Sequence, residues 1–289
     1  MISKTDLPKK RLLLNILPKC FLFLQICLTA GNTALVMSAI VVIYLIVDGF
    51  RSKFGVKLSR FAVKVAISFD VTARYLPNCA TIRTGLPVRA TIAGGRRFEF
   101  IPENAFVVFV TGGSQGAHVV NCLASEALSQ LAKEIAKRGD GARPLYVIHQ
   151  TGMKDEGAVM ATYANVSLPS RVAAFEREMA NAFASADLVI ARAGASTCFE
   201  LAACGKPAML IPLPTALRNH QHLNAEAFVA AGAADEGAQD KLTAHQLFRY
   251  LLDKYDHPEK LTAMAGKMRA LATPEAAAKV AQLVEEVAK

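Results

Sequence analysis

The 289-residue chain contains no tryptophan and no Cys-x-x-Cys pair, and neither a Gly-x-Gly-x-x-Gly nor a P-loop lysine opens its helix-start motifs. Its six cysteines (Cys20, Cys27, Cys79, Cys122, Cys198 and Cys204) are scattered, mostly through apolar segments. They read as buried thiols of a reducing compartment, which excludes a disulfide framework. No His or Cys spacing supports zinc, so no metal is expected. Charge is missing altogether from residues 20–47. A run of that length is formally a membrane-span candidate. Basic residues flank it, with Lys9, Lys10, Arg11 and Lys19 before and Arg51, Lys53 and Lys57 after. Gly31, Asn32 and Thr33 interrupt it, and "AIVVIYLIV" (39–47) has the β-branched content of a buried parallel strand. Both a span and a buried strand stay open there. A cleaved signal peptide is disfavoured, because no small-x-small site precedes a polar start.

What is present points to a folded chain. Hydrophobic residues make up 53% and charged residues 20%, a balance that excludes disorder. The length allows one or two domains. Thirty-three Lys and Arg against 24 Asp and Glu give a net charge of +9, which suits a phosphate ligand or an acidic membrane face. Simple solubility accounts for the charge equally well. Nucleic acid is not the expected partner, since the basic residues are scattered and aromatic platforms are few.

From residue 58 onward, short apolar runs alternate with helical patterns. "VKVAISF" (63–69) and "TIRTGLPV" (81–88) predict strands, and the polar "GGRRFEFIPEN" (94–104) reads as a linker. Residues 106–110 predict a strand and a glycine turn follows. Val119, Val120, Leu123, Ala127, Leu128 and Leu131 then recur with helical spacing. Further strands are predicted at 144–152, in a short run ending at Phe175, at 188–191 and over "PAMLIPLP". Helices are predicted from about Glu176, from about Ala195, over "NHQHLNAEAFVAA" up to Gly232, and through the Ala-rich end. Thr243 with Gln246 three residues later spells a capping box. Strands alternating with helices across 106–240 mean a parallel sheet covered on both faces, an α/β class.

In such sheets ligands bind beyond the carboxyl ends of the strands. Two loops have the right character. In "TGGSQGAHVVN", Gly112, Gly113 and Gly116 let backbone approach a ligand, while Ser114 adds a hydroxyl and Gln115 completes the loop. N–H groups and the helix dipole would make it an anion site; a tight turn with no ligand is the bland alternative. In "RAGASTCFE", Gly194 precedes a second helix start where Ser196 or Thr197 could cap or touch an anion. Glu200 one turn later could accept both hydroxyls of a ribose, or simply answer the helix dipole. Two such loops without a P-loop lysine favour a nucleoside diphosphate.

"VTGGSQGA", "IHQTG", "RAGASTCFELAACGKPAMLIPLPT" and "HQHLNA", in this order, resemble the MurG family. These are UDP-N-acetylglucosamine:undecaprenyl-diphospho-muramoyl-pentapeptide N-acetylglucosaminyltransferases. "RTGLPVRATI" is similar to the family's Asn-Pro-Val-Arg element, with Leu86 in place of Asn. The resemblance implies a GT-B fold, two Rossmann-like parallel-sheet domains of which the N-terminal one is incomplete here. Residues 1–95 would be a truncated or divergent domain facing acceptor and membrane, and 96–289 a UDP-sugar-binding domain whose final helix packs back on the first. It implies an inverting transfer of N-acetylglucosamine from UDP-GlcNAc to the lipid-linked muramoyl-pentapeptide, with no cofactor. Peripheral attachment to the anionic cytoplasmic face of the inner membrane would go with it.

Carried over, the resemblance assigns Arg89 to the donor and Ser114 to the diphosphate. Ala195, Ser196, Thr197, Cys198, Phe199 and Glu200 become the phosphate and ribose segment. Gln221 and Asn224 would read the sugar hydroxyls. Phe175 would lie beside the uracil, and Glu176 would read the base through its backbone. His149, His220 and His222 are assigned no catalysis, and the catalytic base stays unassigned. The family's Gly-Gly-Thr-Gly-Gly-His loop, with its proposed catalytic histidine, has no counterpart in the sequence. A catalytically impaired donor-binding module and a related enzyme with another acceptor therefore remain alternatives.

Overall fold

The computed structural model describes residues 64–76, 78–216 and 219–288. The uncharged run 20–47, its basic flanks, Cys20 and Cys27 lie outside the described residues. Two compact units emerge, Met1–Gly85 with Ala278–Lys289, and Leu86–Ala277.

In the first unit, strands β1 (Val65–Ile67) and β2 (Thr81–Arg83) pair in parallel, with Val65 opposite Thr81. A 3-10 turn over Asp70–Tyr75 connects them. Val65, Ile67 and Leu76 form the small core. Arg83 reaches Asp70 at 2.6 Å, but both side chains are exposed and such a pair contributes little. Both strands are shorter than the sequence pattern predicts, because among the described residues β1 pairs only with β2, over a three-residue ladder.

The second unit is built on six parallel strands: β3 (Phe106–Thr111), β4 (Leu145–Gln150), β5 (Ser170–Ala173), β6 (Leu188–Ala191), β7 (Ala208–Leu210) and β8 (Ala234–Glu236). Their order is β5-β4-β3-β6-β7-β8. The central strands are runs of Val, Ile, Leu and Phe because helices cover both faces, so no alternation with polar residues is needed. One face carries Phe106, Val108, Val110, Leu188 and Ile190 against α1 (His118–Ala136), α2 (Glu156–Ala164), α6 (Ala244–Asp256) and α7 (Pro258–Ala270). On the other face Phe109 meets Phe183 of α3 (Met179–Ser185) edge-on at 5.4 Å. There Phe199 of α4 (Ala195–Cys204) meets Phe228 of α5 (His220–Ala230) in the same way at 6.1 Å. The last helix, α8, runs Ala276–Ala288.

Several elements differ from the pattern in the sequence. The helix expected from about Glu176 starts at Met179, because the Glu176 carboxylate accepts the Glu178 N–H and holds a turn there instead. Strand β8 lies within a stretch whose alanines carry no strand signal; its pairing with β7 creates it. The segment read as a linker is packed. Phe98 and Ile101 are buried, and the Arg97 guanidinium donates to the carbonyls of Ser185 and Pro102. The thiols are also less uniform than their apolar context suggests. Cys198 is buried, but Cys122 sits on the outer side of α1 and is exposed, since its helical position faces away from the sheet. Partial desolvation, then the charges of Asp155 and Glu126, push the Cys122 thiol pKa up.

The Thr243 capping box is present with both of its hydrogen bonds: the Thr243 hydroxyl accepts the Gln246 N–H at 3.2 Å and Gln246 Oε1 accepts the Thr243 N–H at 2.9 Å. Thr243→Ala removes the cap of α6, which packs along α1. It is expected to lower unfolding free energy by about 1 kcal/mol in urea titration, whereas Thr243→Ser leaves stability near the parent value.

Candidate functional site

Strands β3 and β6 are neighbours, yet the chain between them runs outward through β4 and β5 before returning. The loops leaving β3 and β6 therefore diverge to opposite faces of the sheet. This is the switch point where an open parallel sheet leaves a crevice at its carboxyl edge. The β3 loop leads into α1 and the β6 loop into α4. Neither helix has a side-chain cap, Ala117 and Gly194 occupying the two cap positions. Two helix N-termini thus present backbone N–H groups and positive dipole ends at one crevice.

The β3 loop is tight. The Gly116 N–H donates to the Gly113 carbonyl at 3.0 Å, leaving Ser114 and Gln115 exposed at the tip. Gly116 has φ +74°, and a Cβ there would overlap the Thr151 carbonyl. Gly152, at φ +76°, would likewise drive a Cβ against the Gln115 carbonyl. The loop therefore lies backbone to backbone on the exit of β4, a contact only two glycines allow.

The β4 exit is held by buried polar groups. Gln150 is 3% exposed, and its side-chain amide donates to the Gly113 carbonyl at 2.8 Å and to Thr111 Oγ1 at 3.2 Å. Its Oε1 accepts the Glu176 N–H at 3.0 Å. His149 beside it is 1% exposed, with Nδ1 at 2.8 Å from the Tyr163 hydroxyl and Nε2 at 3.2 Å from Asn121 Oδ1. Burial pushes its pKa down to about 3, with Asp155 opposing weakly. A neutral imidazole with both nitrogens engaged is a structural group. Asn121 passes the network on to Asp155 at 2.7 Å, and Asp155 accepts from His118 at 2.9 Å. These contacts bolt the start of α1 to the start of α2.

At the turn after β5, Phe175 is exposed while the Glu176 side chain is buried. Arg171 grips that carboxylate with Nε at 2.8 Å and Nη2 at 3.2 Å. Burial pushes the Glu176 carboxyl up, but Arg171 and the Glu178 N–H outweigh it and hold the pKa below the usual range.

On the other wall, Ser196 and Thr197 are half-buried at the start of α4, whereas the side chains of Ala195, Cys198 and Phe199 face the core. Only the backbone of those three is available to a ligand. Glu200 is largely buried and lies 3.5 Å from the exposed guanidinium of Arg89, which stands just before the 3-10 turn Ala90–Gly94 that packs on α4. Gln221 Oε1 accepts the Leu213 N–H at 3.0 Å, and the buried Asn224 donates to the Ala193 carbonyl at 3.0 Å. Asn224 thereby fixes the β6 loop. His222 pairs with Glu236 at 2.6 Å. Sequence reasoning missed Gln150 and Asn121; the only signal was an amide inside or beside an apolar run, where burial demands a partner. Among the described residues no cluster of ligating side chains suits a metal ion.

Residues 107–285 match the model of the glycosyltransferase family 28 C-terminal domain. The chain belongs to this family. Among its relatives is the UDP-N-acetylglucosamine–N-acetylmuramyl-(pentapeptide) pyrophosphoryl-undecaprenol N-acetylglucosamine transferase of Myxococcus xanthus, 36% identical over 235 residues, 81% of this chain and 59% of the relative. The Synechocystis enzyme of the same name is 40% identical over 228 residues, covering 78% and 61%. The crystal structure of Acinetobacter baumannii MurG superposes with a TM-score of 0.65 at 31% identity, over 80% of this chain and 63% of that one. A UDP-N-acetylglucosamine 2-epimerase structure, TM-score 0.55 at 11% identity, shares the fold. The family 28 domain thus has the parallel-sheet α/β architecture of GT-B glycosyltransferases. The chain spans about three-fifths of the length of the curated relatives it matches.

Gly116→Ala forces a Cβ onto a backbone carbonyl that cannot swing aside. Its melting temperature is expected to fall by an amount equivalent to at least about 2 kcal/mol, whereas Ser114→Ala on the exposed tip leaves it unchanged. His149 gives a second expectation. Between about pH 6.5 and 3 the unfolded chain binds a proton on this residue that the folded chain refuses. Stability is therefore complete above pH 6.5 and is lost as pH falls, at up to about 1.4 kcal/mol per pH unit. Urea midpoints at pH 7, 6 and 5 should show this slope, and His149→Gln should remove one proton's share of it.

Proposed function

We propose that this chain transfers N-acetylglucosamine from UDP-GlcNAc to undecaprenyl-diphospho-muramoyl-pentapeptide, a step of peptidoglycan synthesis, with the family 28 domain holding the donor. The observation that carries this reading is the pair of uncapped helix N-termini at the switch point, with Glu200 one turn behind the second. The diphosphate sits between the α1 and α4 N-termini, touched by Ser114, Ser196 and Thr197. Glu200 accepts from the ribose hydroxyls, and Arg89, already beside it, turns to the phosphates. The Glu176 N–H is engaged by Gln150, so its carbonyl meets the base while Phe175 lies alongside. The side chains of Gln221 and Asn224 face the sugar.

The reaction is an inverting displacement. The muramoyl 4-hydroxyl oxygen bonds to the anomeric carbon as that carbon's bond to the diphosphate oxygen breaks, and UDP leaves. Helix N-termini and Arg89 stabilise the charge that develops on the leaving diphosphate. The hydroxyl proton needs a base, and His149 is unsuited because it is buried with both nitrogens bonded. The residues before 86 serve the acceptor side, and the protein attaches peripherally at the anionic cytoplasmic face of the inner membrane. Among the described residues no helix is long and apolar enough to cross a membrane.

Calorimetry with UDP-GlcNAc should give saturable binding. Glu200→Ala should weaken UDP at least about tenfold while leaving 2′,3′-dideoxy-UDP nearly unchanged. Incubation with UDP-GlcNAc and a lipid-linked muramoyl-pentapeptide analogue should release UDP and give the disaccharide product. Binding without transfer would reduce the reading to a donor-binding module, and no binding would end it.

A further inference from the structure

The Gln150 side chain hydrogen-bonds both the glycine loop and the turn after β5. It projects from the last residue of β4, 3% exposed, between the glycine loop and the turn after β5. The orientation of its amide is dictated by its partners. The Gly113 carbonyl can only accept, so it faces Nε2 at 2.8 Å, and the Glu176 N–H can only donate, so it faces Oε1 at 3.0 Å. Thr111 Oγ1, at 3.2 Å from Nε2, also accepts from the Gly113 N–H at 3.2 Å. Both ends of residue 113 are thereby tied to one small network. On the other side Glu176 is immobilised by Arg171 and by its own bond to the Glu178 N–H. No other amino acid of this length offers a neutral donor and a neutral acceptor on one planar group. Asn is a methylene short, and Glu loses the donor when ionised.

We infer that Gln150 is a positioning residue that couples the glycine loop to the base-facing turn, so that a nucleoside docking at Phe175–Glu176 pre-orders the loop for the diphosphate. The inference rests on the proposed placement of base and diphosphate. A single amide spanning two loops makes their order interdependent, because loosening either end leaves a buried polar group unpaired. The consequence is that base and diphosphate bind with more affinity together than the two halves supply separately, and that Gln150 carries the difference.

The test uses the whole chain and three probes: UDP, CDP and uridine. Saturable UDP binding by the wild type is the premise, and its failure would count against the proposed function rather than against Gln150 alone. With that binding in hand, Gln150→Met should lower UDP affinity about tenfold or more. It should lower both the UDP:CDP ratio and the UDP:uridine ratio. Arg171→Met, which loosens the base-facing turn without touching Gln150, should lower both ratios as well, since the coupling passes the disorder on to the glycine loop. A uniform loss for all three probes, or unchanged ratios, would overturn the coupling and leave Gln150 a packing residue. Hydrogen exchange on the wild type gives an answer even if Gln150→Met does not fold. Saturating uridine, which does not reach the glycine loop, should slow amide exchange at residues 112–116 as well as at 174–178. Slowing confined to 174–178 would equally overturn it.

Discussion

The crevice depends on one close contact, the glycine loop lying backbone to backbone against the exit of β4. Gly116 and Gly152 make the approach sterically possible, and the Gln150 amide fixes it by bonding the Gly113 carbonyl. Helix α1 begins immediately after this contact, so the direction of its N-terminus is set by it. A wider turn would swing the dipole end of α1 away from that of α4, and the two would no longer converge. The His149–Asn121–Asp155–His118 network reinforces the same joint from beneath, by pinning α1 and α2 to β4.

Electrostatics in the crevice come from backbone more than from side chains. No P-loop lysine is present, and the Arg89 guanidinium lies against Glu200. Pairing with a carboxylate keeps Arg89 in place without committing it, since the guanidinium is itself largely exposed and the 3.5 Å contact to the mostly buried Glu200 is long, so an arriving diphosphate competes readily. The other charged pair, Arg171–Glu176, does a different task. Its carboxylate is buried, which makes the pair expensive to break, and it stiffens a turn rather than waiting for a ligand. The two pairs differ through solvent, and solvent exposure separates the yielding contact from the fixed one.

Much of this was legible beforehand. Apolar runs between 106 and 191 marked the central strands because those strands are buried on both faces and carry polar residues only at their carboxyl ends. The capping box at Thr243 and the two helix-start loops followed from local chemistry that acts within four residues. Strand β8 was not legible, since Ala234, Asp235 and Glu236 have no strand preference until β7 lies beside them. The delayed start of α3 was hidden because it turns on Glu176 meeting Arg171, five residues away but across a strand end. Cys198 and Phe199 sit in a motif that looks uniformly like a site, yet helical geometry sends their side chains to the core.

The sequence by itself determined the α/β class, the order of strands and helices from β3 to α5, and the two glycine-bearing helix starts, because periodicity and turn chemistry are local properties. It also carried the family, through motifs whose spacing survives in linear order. Only the tertiary structure decided that the β3 and β6 loops face one crevice, that Glu200 lies beside Arg89, and that Gln150 joins two loops. Those relations depend on strand order and burial, which bring together groups separated by 26 to 111 residues.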